Sequence, residues 1–158
     1  MVGFPSSSGG GGGGAAAGWT QIAQATPNGV AQVDFTSVPQ TYSDLRLEIE
    51  IQHNSGSSQS VLLDLQDGAN WAGATPITSL PAPAATAMTG GVFIPGYTGD
   101  SGILCPSVEA IGASPALGDA SNGNFFYIMP WHISGGIDGI RIAASGGNIT
   151  GTITLYGR

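Results

Sequence analysis

Chemistry in this chain of 158 residues has few side chains to start from, and their spacing decides what each can do. Asp100-Ser101-Gly102 follows Gly99, an order that can present a serine nucleophile if a histidine stands ready to take its proton. Here Ile103 replaces the second glycine that should follow, and neither His53 nor His132 has a matching setting. A tight turn uses Asp-Ser-Gly more simply. Asp64, Asp67 and Asn70 offer oxygen ligands at a spacing loosely like a calcium loop, without the later glutamate that completes one. The two histidines each follow a strong strand pattern, with no His-x-His and no nearby cysteine to make a zinc set. Glu48 and Glu50 could pose as the carboxylate pair of a glycosidase. As i and i+2 neighbours on one polar strand face, they are expected to be solvated or at a subunit contact instead. No catalytic residue, metal site or cofactor is expected, and the chain reads as a non-enzyme.

The element that would position such residues is clearest at 44–53, where Leu45, Leu47, Ile49 and Ile51 alternate with Arg46, Glu48, Glu50 and Gln52. Period two marks a strand with one buried and one wet face, and a polar face this large belongs to an antiparallel sheet covered on one side. Twenty-seven Gly and ten Pro, spread along the chain, leave no window for a long helix. Length fits one domain, which at this size buries roughly 70% of its unfolded surface. The net charge is −7, and the three basic residues are all arginine. That balance excludes nucleic acid as a partner, since binding it needs clustered cations. It also removes a Schiff-base lysine and the lysine of a phosphate loop, so the six glycines from Gly9 to Gly14 are not one. The lone Cys105 cannot form an intrachain disulfide and is expected to be a small buried hydrophobe. No basic and apolar leader opens the chain and no run of eighteen apolar residues occurs, so a soluble, cytoplasmically made protein without a membrane partner is expected.

Strand patterns at 19–25 and 30–36 flank Pro27-Asn28-Gly29 and read as a hairpin. After 44–53, residues 61–66 form an apolar strand ending at an Asp67-Gly68 turn. Residues 71–91 dissolve into Pro, Ala and Thr and read as a long surface loop. Residues 92–97 read as a short edge strand or bulge because of Pro95, residues 103–111 as another around Pro106, and 114–123 as a second long polar loop. The aromatic stretch 124–133, with Ile140 and Ile142, should supply much of the core. Strands at 139–143 and 149–156 close the chain around a Ser145-Gly146-Gly147-Asn148 turn. Ile149, Ile153 and Leu155 fall on one face of the last strand and Thr150, Thr152 and Thr154 on the other. Eight to ten strands with Gly-rich turns imply an all-β, antiparallel two-sheet sandwich of jelly-roll type over residues 19–158. Its expected core includes Leu45, Leu47, Ile49, Ile51, Phe126, Ile128, Ile153 and Leu155.

Residues 1–18 stand apart: Val2, Phe4 and Pro5, three serines, the glycine run and a short alanine run. Ordering such a segment costs about 1–2 kcal/mol per residue, with glycine at the high end. It is expected to be an extended arm laid on a neighbouring subunit.

Three stretches carry a resemblance. Trp19-Thr20-Gln21-Ile22-Ala23-Gln24-Ala25-Thr26, then Val33-Asp34-Phe35-Thr36-Ser37-Val38-Pro39-Gln40-Thr41-Tyr42-Ser43-Asp44-Leu45-Arg46-Leu47, and finally Gly151-Thr152-Ile153-Thr154-Leu155-Tyr156-Gly157 resemble small β-rich virion structural proteins of tailed bacteriophages. The likeness covers residues 19–52 and 139–157. It implies a non-enzymatic component of the virion, synthesised in the host cytoplasm and carried on the capsid surface or the tail. In the capsid version the chain is a decoration or cement protein, forming a homotrimer. Its arm (Val2, Phe4, Pro5, Gly9, Gly14, Trp19) grips the major capsid protein or another virion protein, while 71–91 and 114–123 face outward or toward neighbours. In the alternative the chain is a tail-fibre or receptor-binding module, with Trp71, Tyr97 and Trp131 stacking on sugar rings.

Overall fold

A computed structural model describes the backbone of residues 18–80, 88–98, 107–112, 125–128 and 135–158, and side chains within 18–77, 89–98 and 135–158. The expected arm up to Ala17, the loop 114–123, Cys105, Trp131 and His132, and the side chains of Phe126 and Ile128, lie outside the described residues. Twelve strands are present among them: β1 (Thr20–Ala25), β2 (Asn28–Val30), β3 (Gln32–Thr36), β4 (Asp44–His53), β5 (Gln59–Asp67), β6 (Asn70–Trp71), β7 (Thr75–Leu80), β8 (Met88–Pro95), β9 (Ser107–Gly112), β10 (Phe125–Ile128), β11 (Ile137–Ala144) and β12 (Ile149–Gly157).

They form two antiparallel sheets. One runs β1-β12-β4-β8-β9-β10, with β2 also on β12; the other runs β3-β11-β5-β6, with β7 also on β5. The alternation in β4 sets the interior, because successive side chains point to opposite faces of a pleat. Leu45, Leu47, Ile49 and Ile51 are buried while Glu48 and Glu50 are exposed. The register places Leu47 between Leu155 and Val92, and Ile49 opposite Ile153. From the other sheet Val33 and Phe35, Ile140 and Ile142, and Val61, Leu63 and Leu65 join the same buried cluster, giving a sandwich. On the outer side of β12 the pattern is less clean, since Thr154 is also buried and its hydroxyl accepts from Gln24 Nε2 at 3.2 Å.

Four local expectations are corrected. The stretches 19–25 and 30–36 do not pair: β1 lies on β12 and β3 on β11, in different sheets. The Pro27-Asn28-Gly29 segment carries the chain across the sandwich, and Gly151 N donates to Pro27 O at 3.0 Å. Residues 71–91 are not one loop, since they contain β7 and the start of β8. Nor is β8 an edge. It lies between β4 and β9, and Pro95 is tolerated because it is the last residue of the strand. Finally Tyr97, expected at a sugar-binding surface, is 0% exposed. Its hydroxyl donates to Pro39 O and its own carbonyl accepts from Ile137 N, so it ties three segments together at one end of the sandwich. The Asp67-Gly68 turn does close a hairpin, with Gln66 opposite Trp71 and Gly68 at φ +60°.

Two glycines of β12 matter sterically. Gly151 sits at φ +140°, and a Cβ there would collide with Glu50 O and lie 2.9 Å from Ile51 Cα. Replacing Gly151 by Ala should therefore cost about 2 kcal/mol or more in urea unfolding. Gly56→Ala, at a loop glycine with open space around it, should stay within about 0.5 kcal/mol of the parent. Tyr97→Phe should cost about 1 kcal/mol by leaving the half-buried Pro39 carbonyl without its donor, with no change in the unfolding slope.

Candidate functional site

Side chains from both ends of the chain meet at one corner of the seven-stranded sheet, where the 1–18 segment joins the domain. Asp44 opens β4 there. Its Oδ1 accepts from Gly96 N at 3.1 Å and its Oδ2 from Arg158 Nε at 2.9 Å. The main chain reinforces this: Arg158 N donates to Asp44 O, and Arg158 O accepts from Ser43 N and Asp44 N. The Arg158 guanidinium then lies over Trp19 at 4.9 Å and Phe93 at 5.8 Å, with those two rings edge-to-face at 6.1 Å. Trp19, expected as an arm residue, is therefore part of the folded domain.

Beneath this corner the three resembling stretches touch one another. A Cβ on Gly157 would lie 2.5 Å from the Tyr42 ring and 2.8 Å from Ile22 Cδ1. Gly157 belongs to Leu-Tyr-Gly, Tyr42 to Thr-Tyr-Ser-Asp-Leu and Ile22 to Ile-Ala-Gln-Ala. Strand β12 is seated between β1 and β4, so Leu155 pairs with both Ala23 and Leu47, and Gly157 with both Thr20 and Leu45. The scattered motif is one packing joint.

A second polar cluster lies on the outer side of the other sheet. Arg141 on β11 grips Asp34 on β3 through two parallel bonds of 2.7 and 2.9 Å, and its guanidinium stacks 4.0 Å above the Trp71 ring. Gln32 Nε2 also donates to the Asp34 carboxylate. These donors, Arg141 first, hold the Asp34 carboxyl below its ordinary value, and Asp34 pushes Arg141 up. Asp64, opposite Arg141 in register, is 5% exposed and accepts from Gly73 N at 2.9 Å. In the calcium-like stretch Asp64 thus braces the turn after β6. Among the described residues no three His, Cys, Asp or Glu side chains converge on a metal-sized site. His53 is buried at the end of β4, where its Nδ1 accepts from Ser55 N at 3.1 Å.

An open groove of about 430 Å³ runs between the end of β1 and β3, past Pro27 and Val30 to Asp34. Val30 is 41% exposed. No nucleophile and base face each other there, and the one carboxylate is committed to Arg141. With Arg46 on Glu48 at 3.4 Å, Arg141 on Asp34 and Arg158 on Asp44, all three cations of the chain are ion-paired.

Sequence reasoning singled out Trp71, and the structure covers one face of its ring with Arg141. It did not single out Arg141, Arg158, Asp34, Asp44 or Phe93. Their charged and aromatic partners lie between 65 and 114 positions away in the chain and leave no local signal. No protein-family model matches the chain, and a search of curated proteins found no match.

The Asp34 pair makes a pH-dependent contribution with a definite sign. A folded pKa below 3.8 means that the contribution is complete above that pH and is lost as pH falls through the folded value. Urea unfolding of the parent and Asp34→Asn, from about pH 6 down to about pH 2, should show a stability gap that closes at the acid end. A gap that stays constant would contradict the assignment.

Proposed function

We propose that the chain is a non-enzymatic structural protein of a bacteriophage virion, a decoration or cement protein held on the outer capsid lattice. One observation carries the reading: the three stretches that resemble phage virion proteins converge on the joint of Gly157, Tyr42 and Ile22. The resemblance therefore follows a unit of structure. The strand order supports it. We read β1-β12-β4-β8 facing β3-β11-β5-β7 as a jelly roll, with β9 and β10 added beyond β8, and this architecture recurs in viral capsid and lectin domains.

The 1–17 segment joins the domain at Gly18 and Trp19, beside the Arg158 corner. Fully extended it would reach about 60 Å, far enough to cross from the domain onto a neighbouring capsomer. Such a protein acts by burying area across a junction between subunits, so the work is binding and no bond is made or broken.

The tail-fibre alternative draws less support from the aromatic residues. Tyr97 belongs to the core and Trp71 stacks on Arg141.

Cryo-EM of intact particles tests the proposal. Density for this chain at regular positions over the capsid lattice is the expected result. Density confined to the tail would overturn it in favour of the receptor-binding role.

A further inference from the structure

The face of the seven-stranded sheet that points away from the core carries a charge pattern together with its complement. In register, Arg46 lies between Tyr156 and Phe93, Glu48 between Thr154 and Gly91, and Glu50 between Thr152 and Thr89. These rows follow one another about 7 Å apart along the strands. Arg158 extends the first row, over Trp19 and Phe93. One end of the face is thus cationic and aromatic, while the next two rows are acidic and flanked by Thr and Gly. In a chain of net charge −7, two of the three arginines stand at this end.

These charges keep capacity for further partners. Arg46 and Glu48 have side chains 40% and 51% exposed, and Arg158 is 50% exposed. Such an exposed ion pair contributes little by itself. A guanidinium has five donors, of which one carboxylate occupies at most two.

We propose that this face is an isologous contact between two copies of the chain. A two-fold axis passing between the Arg46 and Glu48 rows puts Arg46 of each copy on Glu48 of the other, and Arg158 on Glu50. The same operation carries Tyr156 over Thr154, and Phe93 over Gly91, where no side chain stands. Trp, Tyr, Phe and Arg are the residues that interfaces favour, and here they meet small side chains and opposite charge. With strands about 30 Å long and four to five of them at about 4.8 Å spacing, each copy offers on the order of 700 Å². That is close to the roughly 800 Å² per partner of a standard stable interface. The contact stands on the geometry of the face and does not depend on the virion reading.

Sedimentation equilibrium of the full chain, from about 10 to about 500 µM, reads the pair directly. A monomer–dimer equilibrium is expected, weakening as salt is raised because exposed charges are screened. Arg46→Glu and Glu48→Arg should each weaken association about tenfold or more, and the double swap should recover most of the loss. Urea unfolding of the same variants should remain near the parent, since both positions are exposed. A monomer at every concentration, a trimer, or single reversals that leave association unchanged would each overturn the proposal. So would a double swap that restores nothing. If the chain stays monomeric while Arg46→Glu abolishes its binding to virions, the face belongs to a virion partner instead.

Discussion

The fold depends on seating the last strand between two strands formed near the start of the chain. β12 pairs with β4 from Ile149 opposite His53 to Gly157 opposite Leu45, and with β1 along its other edge. Bringing together segments about a hundred residues apart costs closure entropy, which grows only slowly with loop length. The greater consequence is kinetic, because non-local pairing must be reached before it is rewarded. Gly151 and Gly157 show how tightly the strand fits: at both positions a Cβ would run into a neighbour, the backbone of β4 in one case and the Tyr42 ring in the other.

Once β12 is seated, the crossings between sheets can be closed. At one end of the sandwich the β4–β5 and β11–β12 connections bond to each other. Asn148 N donates to the Asn54 side chain, Asn54 N to Asn148 O, and Ser60 N to Ser145 Oγ. At the other end Gln40 Nε2 donates to Ile137 O, Val38 N to Asp138 O, and Tyr97 to Pro39 O. Buried or half-buried backbone groups need such partners wherever the chain leaves a ladder. Charges are sparse and used similarly. Arg141 joins β11 to β3, and Arg158 fastens the C-terminus to the start of β4, each with an aromatic ring against its guanidinium.

Much of the strand layout was legible in the sequence, though not where neighbours decide. Regular alternation in 44–53 and 149–156 located β4 and β12 and their inner faces. The same rule failed at 71–91, where Pro and Ala hid β7, and β8 is longer than its apolar part because Met88 to Gly91 pair with β4 without an alternating pattern. Tyr97 follows a proline and a glycine and reads as a surface aromatic. Its burial comes from the segments around Pro39 and Ile137, which fold over it.

By itself the sequence determined the all-β class, the two faces of its clearest strands and the scarcity of cations, since these follow from the pleat and from composition. Tertiary structure decided which strand lies beside which. Pro27-Asn28-Gly29 would suit either a hairpin or a crossing, and only the demand of β12 for a partner on its free edge sends β1 to one sheet and β3 to the other. It also brought together Ile22, Tyr42 and Gly157, and set Arg158 beside Asp44, Trp19 and Phe93. Ladder hydrogen bonds and side-chain contacts act through space, and a one-dimensional pattern records the preference of each residue without recording its neighbour.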